Sequence, residues 1–328
     1  MGKQNREELI KQLENLRGTK IFIYITGDRP GWETQIHEEV YSYFTRHLEL
    51  ISQGKNIDKL SLYLYTRGGN TLAAWSLVNL LRQYCTELEI IVPSKAHSAG
   101  TLMCLGSNKI VMTKQSTLSP IDPSINTPLN PGIPNMPGKT IPVSVEAING
   151  YIELVKKEFG ISDDKALAEI VKVLSAQIHP LVLGEVYRAR SQIKMLANRL
   201  LDIHIPNGNK KEIVDFLCSD SGSHDYTINL KDAKALGLEV EESDKNNTEL
   251  INAIFDTISE ELELDIPFDP RKLLAEKESV DYICKRALIQ TIEGGKHLFI
   301  TRGNLSLIND NGNVILHNIP TFEGWIYE

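Results

Sequence analysis

Two short turns in this sequence have the residue types that could support chemistry. Gly68 and Gly69 follow an apolar run that ends at Tyr65. Paired glycines accept positive φ and leave backbone N–H groups uncovered, so a developing oxyanion can approach them closely. Ser98 follows the apolar run 88–92 and opens a helix, whose dipole favours negative charge there. Taken singly, each pattern is typical of a tight turn or a helix cap.

The elements around the two turns predict that they lie together. Short apolar runs alternate with segments of helical periodicity, which indicates βαβ units and a mostly parallel sheet. The predicted strands are 20–26, 60–65, 88–92 and 109–113, and the predicted helices between them include 33–52 and 71–84. Because active sites of parallel sheets gather at the carboxyl ends of the strands, the joint presence of both turns at that edge favours a function.

Composition excludes several classes of function. A net charge of −8 argues against a nucleic-acid-binding surface, and no apolar run reaches the ~20 residues of a transmembrane segment. The N-terminal residues are charged and lack the apolar stretch of a signal peptide, so we expect a cytoplasmic protein. The four cysteines are far apart, which predicts buried thiols and neither a disulfide nor a metal site. We expect no cofactor, and since no phosphate-binding loop is present, any ATP-driven unfolding would come from a partner chain.

The second half of the chain has a different pattern. A proline-rich stretch at 116–142 predicts a long loop, and helical segments follow near 144–158, 163–176 and 181–203. The acidic, polar stretch 239–247 is a candidate linker between residues 1–240 and a C-terminal segment, 250–328. That segment reads as helices and then a hairpin, whose turn Asn309-Asp310-Asn311-Gly312 separates two largely apolar runs.

Two runs resemble a known family. GGNTLAAWSLVNLLRQY and VPSKAHSAGTLMCLGSNKIVMTKQSTLSPIDP are similar to the Clp-fold serine peptidases, in particular to the serine dehydrogenase proteinase family. Its relatives are signal peptide peptidase A and the proteolytic subunit of the Clp protease. The resemblance spans about residues 5–240 and implies an α/β fold, a Clp/crotonase-type spiral around a parallel sheet, with the C-terminal segment as an addition.

The resemblance also implies roles for residues in the two turns. Ser98 would be the nucleophile, and the backbone N–H of Ala99 with that of Gly68 or Gly69 would form the oxyanion hole. It implies a homo-oligomer, which the long helix from Leu181 to Leu201 would help to build. Without the family, that helix is equally well an amphipathic helix that faces the core.

The general base stays open. The Clp subunit has a histidine after the nucleophile helix, and the corresponding stretch, 118–123, contains none. Signal peptide peptidase A and its relatives use a lysine, for which Lys139 is the candidate by position. His179 and His224 are alternatives, and Asp225 would orient a histidine or cap a turn. His97 is expected to point away from the site.

Three functions are consistent with these observations. The first is a peptidase that cleaves peptides or unfolded polypeptides through an acyl-enzyme on Ser98. A crotonase-type acyl-CoA enzyme would use the oxyanion hole without a nucleophile. A non-catalytic Clp-like scaffold would keep the fold and bind a partner.

Overall fold

The computed structural model describes residues 5–121, 124–134, 136, 138–220, 225–275, 277–310 and 313–328. The helices are α1 Arg6–Arg17, α2 Tyr41–Ser52, α3 Thr71–Tyr84, α4 Ala99–Cys104, α5 Val145–Lys157, α6 Asp164–Gln177, α7 Pro180–His204, α8 Lys210–Asp215, α9 Leu230–Ala235, α10 Lys245–Leu262 and α11 Pro270–Leu274. A 3₁₀ turn at Glu38–Val40 precedes α2, and a π-helical turn at Phe216–Asp220 follows α8.

The strands are β1 Lys20–Thr26, β2 Ile57–Tyr65, β3 Cys85–Val92, β4 Lys95–Ala96, β5 Lys109–Met112, β6 Thr117–Leu118, β7 Ser124–Ile125, β8 Val143–Ser144, β9 Ile228–Asn229, β10 Val240–Glu242, β11 Ser279–Thr291, β12 Gly295–Asp310 and β13 Asn313–Tyr327.

One large mixed sheet forms the centre of the molecule, with strand order β10-β5-β3-β2-β1-β11-β12-β13. The first five strands are parallel, as βαβ units require. The remaining neighbours, from the β1–β11 pair onward, are antiparallel. The predicted α/β class with a parallel sheet is therefore confirmed, and the sheet is extended at one side by an antiparallel meander.

Strand β1 shows why the parallel strands are apolar at almost every position. Its isoleucines face one hydrophobic cluster with α1 and α10, whereas Phe22 and Tyr24 face another with α2, α3 and α7. A strand covered by helices on both sides has no solvent-facing side, so alternation between apolar and polar residues disappears. The four cysteines are buried free thiols, as predicted.

The C-terminal segment joins this sheet. Strand β11 pairs with β1, and β12 forms a hairpin with β13 through pairs such as Ile308 with Ile315. The predicted hairpin is thus present, and its residues 311 and 312 lie outside the described part of the chain. A division near residue 240 stays a prediction, and segments on both sides of it contribute strands to one sheet.

Two sequence predictions are corrected by the sheet and its loops. The predicted helix 33–52 begins later, because the backbone of Ile36 is extended and pairs with Gly69. The predicted linker 239–247 instead contains β10, which pairs with β5. The charge of Glu241 in β10 is matched by Arg17 and Lys109, so an acidic stretch is stable at the sheet edge.

A small second sheet, β4-β6-β9, holds the turn that contains Ser98. Strand β4 pairs with β6, and Ala96 bridges to Thr66 just beyond the end of β2. Within the described residues, no helix on its own has the length and apolar character for a membrane span. The bent pair α6 and α7 reaches those limits only when its two helices are taken together.

Candidate active site

Ser98 occupies a sharp turn between β4 and α4. Its φ of 51° and ψ of −116° are the values of the first central residue in a type II′ turn. The Gly100 N–H closes the turn by donating to the His97 carbonyl at 2.8 Å. A positive φ is unusual for serine and is maintained only when the surroundings impose it, as in the strained strand-to-helix turns that present nucleophiles.

The loop with the two glycines lies directly against this turn. A β-carbon on Gly68 would lie 2.7 Å from the Ser98 β-carbon, and the Gly68 φ is +111°. A β-carbon on Gly69 would lie 2.4 Å from the Ile36 carbonyl oxygen, and the Gly69 φ is +144°. Both conformation and close approach therefore demand glycine at these two positions.

The extended segment before α2 fixes the position of this loop. The Ile36 N–H donates to the Gly68 carbonyl, and the Asn70 N–H donates to the Ile36 carbonyl, both at 2.8 Å. The Asn70 side chain in turn accepts from Leu72 and Ala73 and so caps α3. The loop is held at both ends, which keeps its backbone groups oriented.

The backbone N–H groups near Ser98 differ in their partners. The Gly68 N–H donates to the Thr66 hydroxyl at 2.9 Å and is occupied. Neither the Gly69 N–H nor the Ala99 N–H donates a hydrogen bond to any described residue. Two free donors thus flank the serine, one from each turn.

Two hydroxyl side chains in and just after β6, those of Thr117 and Ser119, anchor the nucleophile turn. The Ser98 N–H donates to the Ser119 hydroxyl at 2.8 Å, and Ser119 is buried. The His97 ring lies 2.9 Å from the Thr117 hydroxyl, and its orientation away from Ser98 stays a prediction. The anchoring roles of Ser119 and Thr66 were not identified from the sequence, because neither residue belongs to a motif of its own.

The candidate bases within the described residues are not in contact with Ser98. Lys139 is exposed on the loop between β7 and β8, and its ammonium makes no hydrogen bond or ion pair to a described residue. His179 is exposed, and its Nδ1 accepts from the Leu181 N–H, which makes it the N-cap of α7.

The remaining two candidates lie at the start of the segment that leads to β9. His224 is outside the described residues. Asp225 is exposed, three residues before Ile228, which pairs with Leu118. The structure therefore groups Gly68, Gly69, Ser98 and Ala99, whereas the identity of the base stays a prediction.

Comparison with known proteins gives related sequences and structures. Uncharacterized protein MJ0137 of Methanocaldococcus jannaschii is 26% identical to this chain, in an alignment that covers 72% of this chain and 73% of the relative. Uncharacterized protein MJ1495 of the same organism is 25% identical, and its alignment covers 72% of this chain and 71% of the relative. A membrane-bound stomatin-specific protease, 1510-N, solved with a substrate peptide, has 19% identity and a TM-score of 0.40 over 70% of this chain and 78% of its own. ClpP1 from Listeria monocytogenes has 14% identity and a TM-score of 0.37, and the match covers 73% of this chain and 99% of ClpP1.

A family match adds to these similarities and covers the nucleophile turn and the glycine loop. It extends over residues 3–145, and the family is described as ClpP-like SDH-type serine proteinases. The matched residues include the glycine loop, the nucleophile turn and Ser119. Residues 3–145 are therefore similar to the ClpP-like SDH-type serine proteinases, and this match supports the predicted enzyme class, a serine peptidase.

Proposed function

We propose that this protein cleaves peptides or unfolded polypeptides through an acyl-enzyme on Ser98. The Ser98 oxygen attacks the scissile carbonyl carbon while the base removes the hydroxyl proton. The tetrahedral intermediate collapses, the C–N bond breaks, and the base returns the proton to the leaving amine. Water then hydrolyses the ester. The observation that carries this proposal is the positive-φ turn of Ser98, packed against a glycine that tolerates no side chain.

The two free donors beside Ser98 support a specific oxyanion hole. The Gly69 and Ala99 N–H groups have no partner among the described residues, whereas the Gly68 N–H is already bound to Thr66. Donors that are fixed before the reaction stabilise developing negative charge without reorganisation. We therefore assign the oxyanion to Gly69 and Ala99 and give Gly68 the role of allowing close approach.

Lys139 is the base that we favour. It lies on the loop that continues from the Ser119 segment, and among the described residues no carboxylate holds its ammonium. The His179 imidazole, by contrast, already accepts from a helix N-terminus. A lysine base must be neutral before it accepts the serine proton, so Lys139 would have to be covered by substrate or by its own loop during the reaction.

Turnover of an unfolded, fluorescently labelled protein tests this assignment. Ser98→Ala and Lys139→Met should each lower kcat more than about a thousandfold, because members of one catalytic unit fail together. His179→Gln should change kcat by less than about threefold, since its role is a helix cap. Loss of turnover in His224→Gln with activity retained in Lys139→Met would assign the base to His224. A wild-type protein that binds the substrate without cleaving it would favour the scaffold.

An exposed apolar face supports assembly into a homo-oligomer. Helix α6 has no buried residue. Large apolar side chains on and near α5, α6 and α7 are strongly exposed: Phe159 64%, Val173 59%, Leu181 64% and Tyr187 72%. Large apolar side chains exposed on consecutive helices favour an interface. Sedimentation velocity should show an oligomer that Tyr187→Glu weakens, and a wild-type monomer at all concentrations would contradict the assembly.

A further inference from the structure

A cavity of about 370 Å³ lies between the segment before α2 and the C-terminal strands. Its walls combine Tyr24 of β1, six residues of the stretch 33–40 (all but Ile36 and Glu38), Arg286 of β11, Phe299 of β12 and Trp325 of β13. The volume is at the small end of the range for ligand-binding cavities. Ser98 and the two glycines of the loop are not among its lining residues, so this cavity is separate from the site described above.

Two buried donors in this cavity lack acceptors. The Tyr24 side chain is fully buried, and its hydroxyl has no hydrogen-bond partner, although the backbone of His37 lies nearby. The Trp325 indole nitrogen is also buried without a partner. Burial, and secondarily the charge of Glu39, raise the pKa of Tyr24, so the hydroxyl keeps its proton. Buried donors of this kind cost free energy unless an acceptor reaches them, and both point to a ligand with an acceptor atom.

The rim of the cavity carries negative charge that is only partly compensated. Among the described residues Glu39 makes no ion pair, and the nearest cation to the Glu33 carboxylate is Arg67 at 4.0 Å. Arg286 also lines the cavity, but it is paired with Glu323 at 2.6 Å and bound to the Glu33 carbonyl. The rim therefore favours a cation, whereas the floor favours an acceptor.

We propose that this cavity binds a primary ammonium group adjacent to a carbonyl, as found in an amino acid amide or at the amino terminus of a peptide. The carbonyl oxygen accepts from Tyr24 and Trp325, and the ammonium lies between Glu33 and Glu39. The Phe299 and Trp325 rings contact the first side chain of the ligand. Peptide cleavage releases new amino termini, so product peptides are one source of such a ligand.

The wall of the cavity and the support of the glycine loop are the same stretch of chain. Gln35 and His37 line the cavity, and Ile36 between them bonds to the Gly68 carbonyl and the Asn70 N–H. A ligand that orders this stretch therefore also orders the loop beside Ser98. Binding itself does not depend on cleavage, so it is testable in an inactive protein.

The experiment is a calorimetric titration of the Ser98→Ala protein. Phenylalanine amide should bind. N-acetylphenylalanine amide, which lacks the charge, and phenethylamine, which lacks the carbonyl, should each bind at least about tenfold more weakly. A short peptide with amino-terminal phenylalanine that binds as tightly as the amide identifies peptides as occupants. Preference for the amide identifies small amines, and both results support the site.

Variants in the same background place the ligand. Tyr24→Phe and Glu39→Gln should each lower the affinity for the amide about tenfold, because each variant loses one hydrogen bond or ion pair to the ligand. Glu38→Gln is the matched control, because the neighbouring Glu38 does not line the cavity, and it should leave affinity unchanged. Equal binding of the acetylated compound, affinity that survives Tyr24→Phe, or no binding at millimolar concentration would overturn the proposal. Thermal melting checks that each variant is folded.

Discussion

Gly68 and Ser98 are packed so closely that a β-carbon on Gly68 would lie 2.7 Å from that of Ser98. The loop after β2 thus contacts the turn before α4 so closely that position 68 has no room for a side chain larger than a hydrogen atom. Each partner also has a positive φ, +111° for Gly68 and 51° for Ser98. The geometry of the nucleophile therefore depends on a residue 30 positions earlier in the chain.

Gly68→Ala should abolish activity. The added methyl group must displace Ser98 or the loop, and we expect kcat to fall at least about a hundredfold and the free energy of unfolding to fall by about 1–3 kcal/mol. Steady-state kinetics and chemical denaturation measure both. Gly150→Ala makes the same chemical change in α5, where a β-carbon meets nothing within 4 Å. It should keep activity and gain up to about 1 kcal/mol, and similar losses in both variants would refute the contact argument.

Ser119→Ala should lower kcat with little change in KM. Its hydroxyl accepts the Ser98 N–H, and without it the strained turn loses an anchor. We expect a loss of kcat of about tenfold. Ser107→Ala serves as the control, because that buried hydroxyl donates to the Cys104 carbonyl, away from Ser98. Equal effects of both variants on kcat would show that only general stability is involved.

The nucleophile turn and the glycine loop were predictable from the sequence because both follow clear strand signals. The segment 33–37 was not, because Ile36 and Val40 fit a helical spacing as well as an extended one. Its conformation is set by pairing with the loop after β2, a contact between residues distant in sequence. For the same reason the C-terminal meander was recognised only as a hairpin, since its pairing with β1 is a tertiary property.

Tyr24→Phe and Tyr63→Phe should differ in their effect on stability. Both side chains are fully buried on neighbouring strands, but the Tyr63 hydroxyl donates to the Ile251 carbonyl at 2.7 Å. Removing that donor leaves a buried acceptor unpaired and should cost about 1–2 kcal/mol. Tyr24→Phe removes a hydroxyl that has no partner and should be neutral or stabilising. Denaturation by urea measures both, and an equal loss would show that the Tyr24 hydroxyl is satisfied.

The histidine pair between α2 and β12 should make the fold sensitive to acid. His47 is fully buried and lies 2.9 Å from the His297 ring, and burial, with His297 and Arg46, lowers the pKa of His47 to about 4. The unfolded chain has an ordinary histidine pKa of about 6.5, so it binds the proton first. The contribution of the neutral His47 to the free energy of unfolding is therefore fully present above about pH 6.5, and about 3 kcal/mol of it is lost as the pH falls toward 4.

Melting temperatures between pH 7.5 and 4.5 test this dependence. His47→Gln should flatten the profile, since glutamine does not titrate. The exposed His37→Gln should leave the profile unchanged. An unchanged slope in His47→Gln would show that other groups cause the acid sensitivity.

A buried ion pair should dominate the stability at one end of the sheet. Glu89 is fully buried; burial by itself raises its pKa, but hydrogen bonds from Arg17 and Ser61 and the charges of Arg17 and Lys59 outweigh this and lower the pKa to about 2. The stabilisation is present above about pH 4.5 and is lost as the pH falls toward 2. Glu89→Gln leaves Arg17 without its main partner and should cost about 3 kcal/mol at pH 7, measured by denaturation. The exposed Glu7→Gln should cost little, and equal effects would contradict the assignment.

Reaction with a fluorophosphonate tests the central claim most directly, because it reports an activated serine without assuming a substrate. The adduct is located by peptide mass spectrometry in the wild type and in Ser98→Ala. The account predicts one adduct, on the peptide that contains Ser98, and none in Ser98→Ala. An adduct on a different residue, or peptidase turnover that persists in Ser98→Ala, would contradict it.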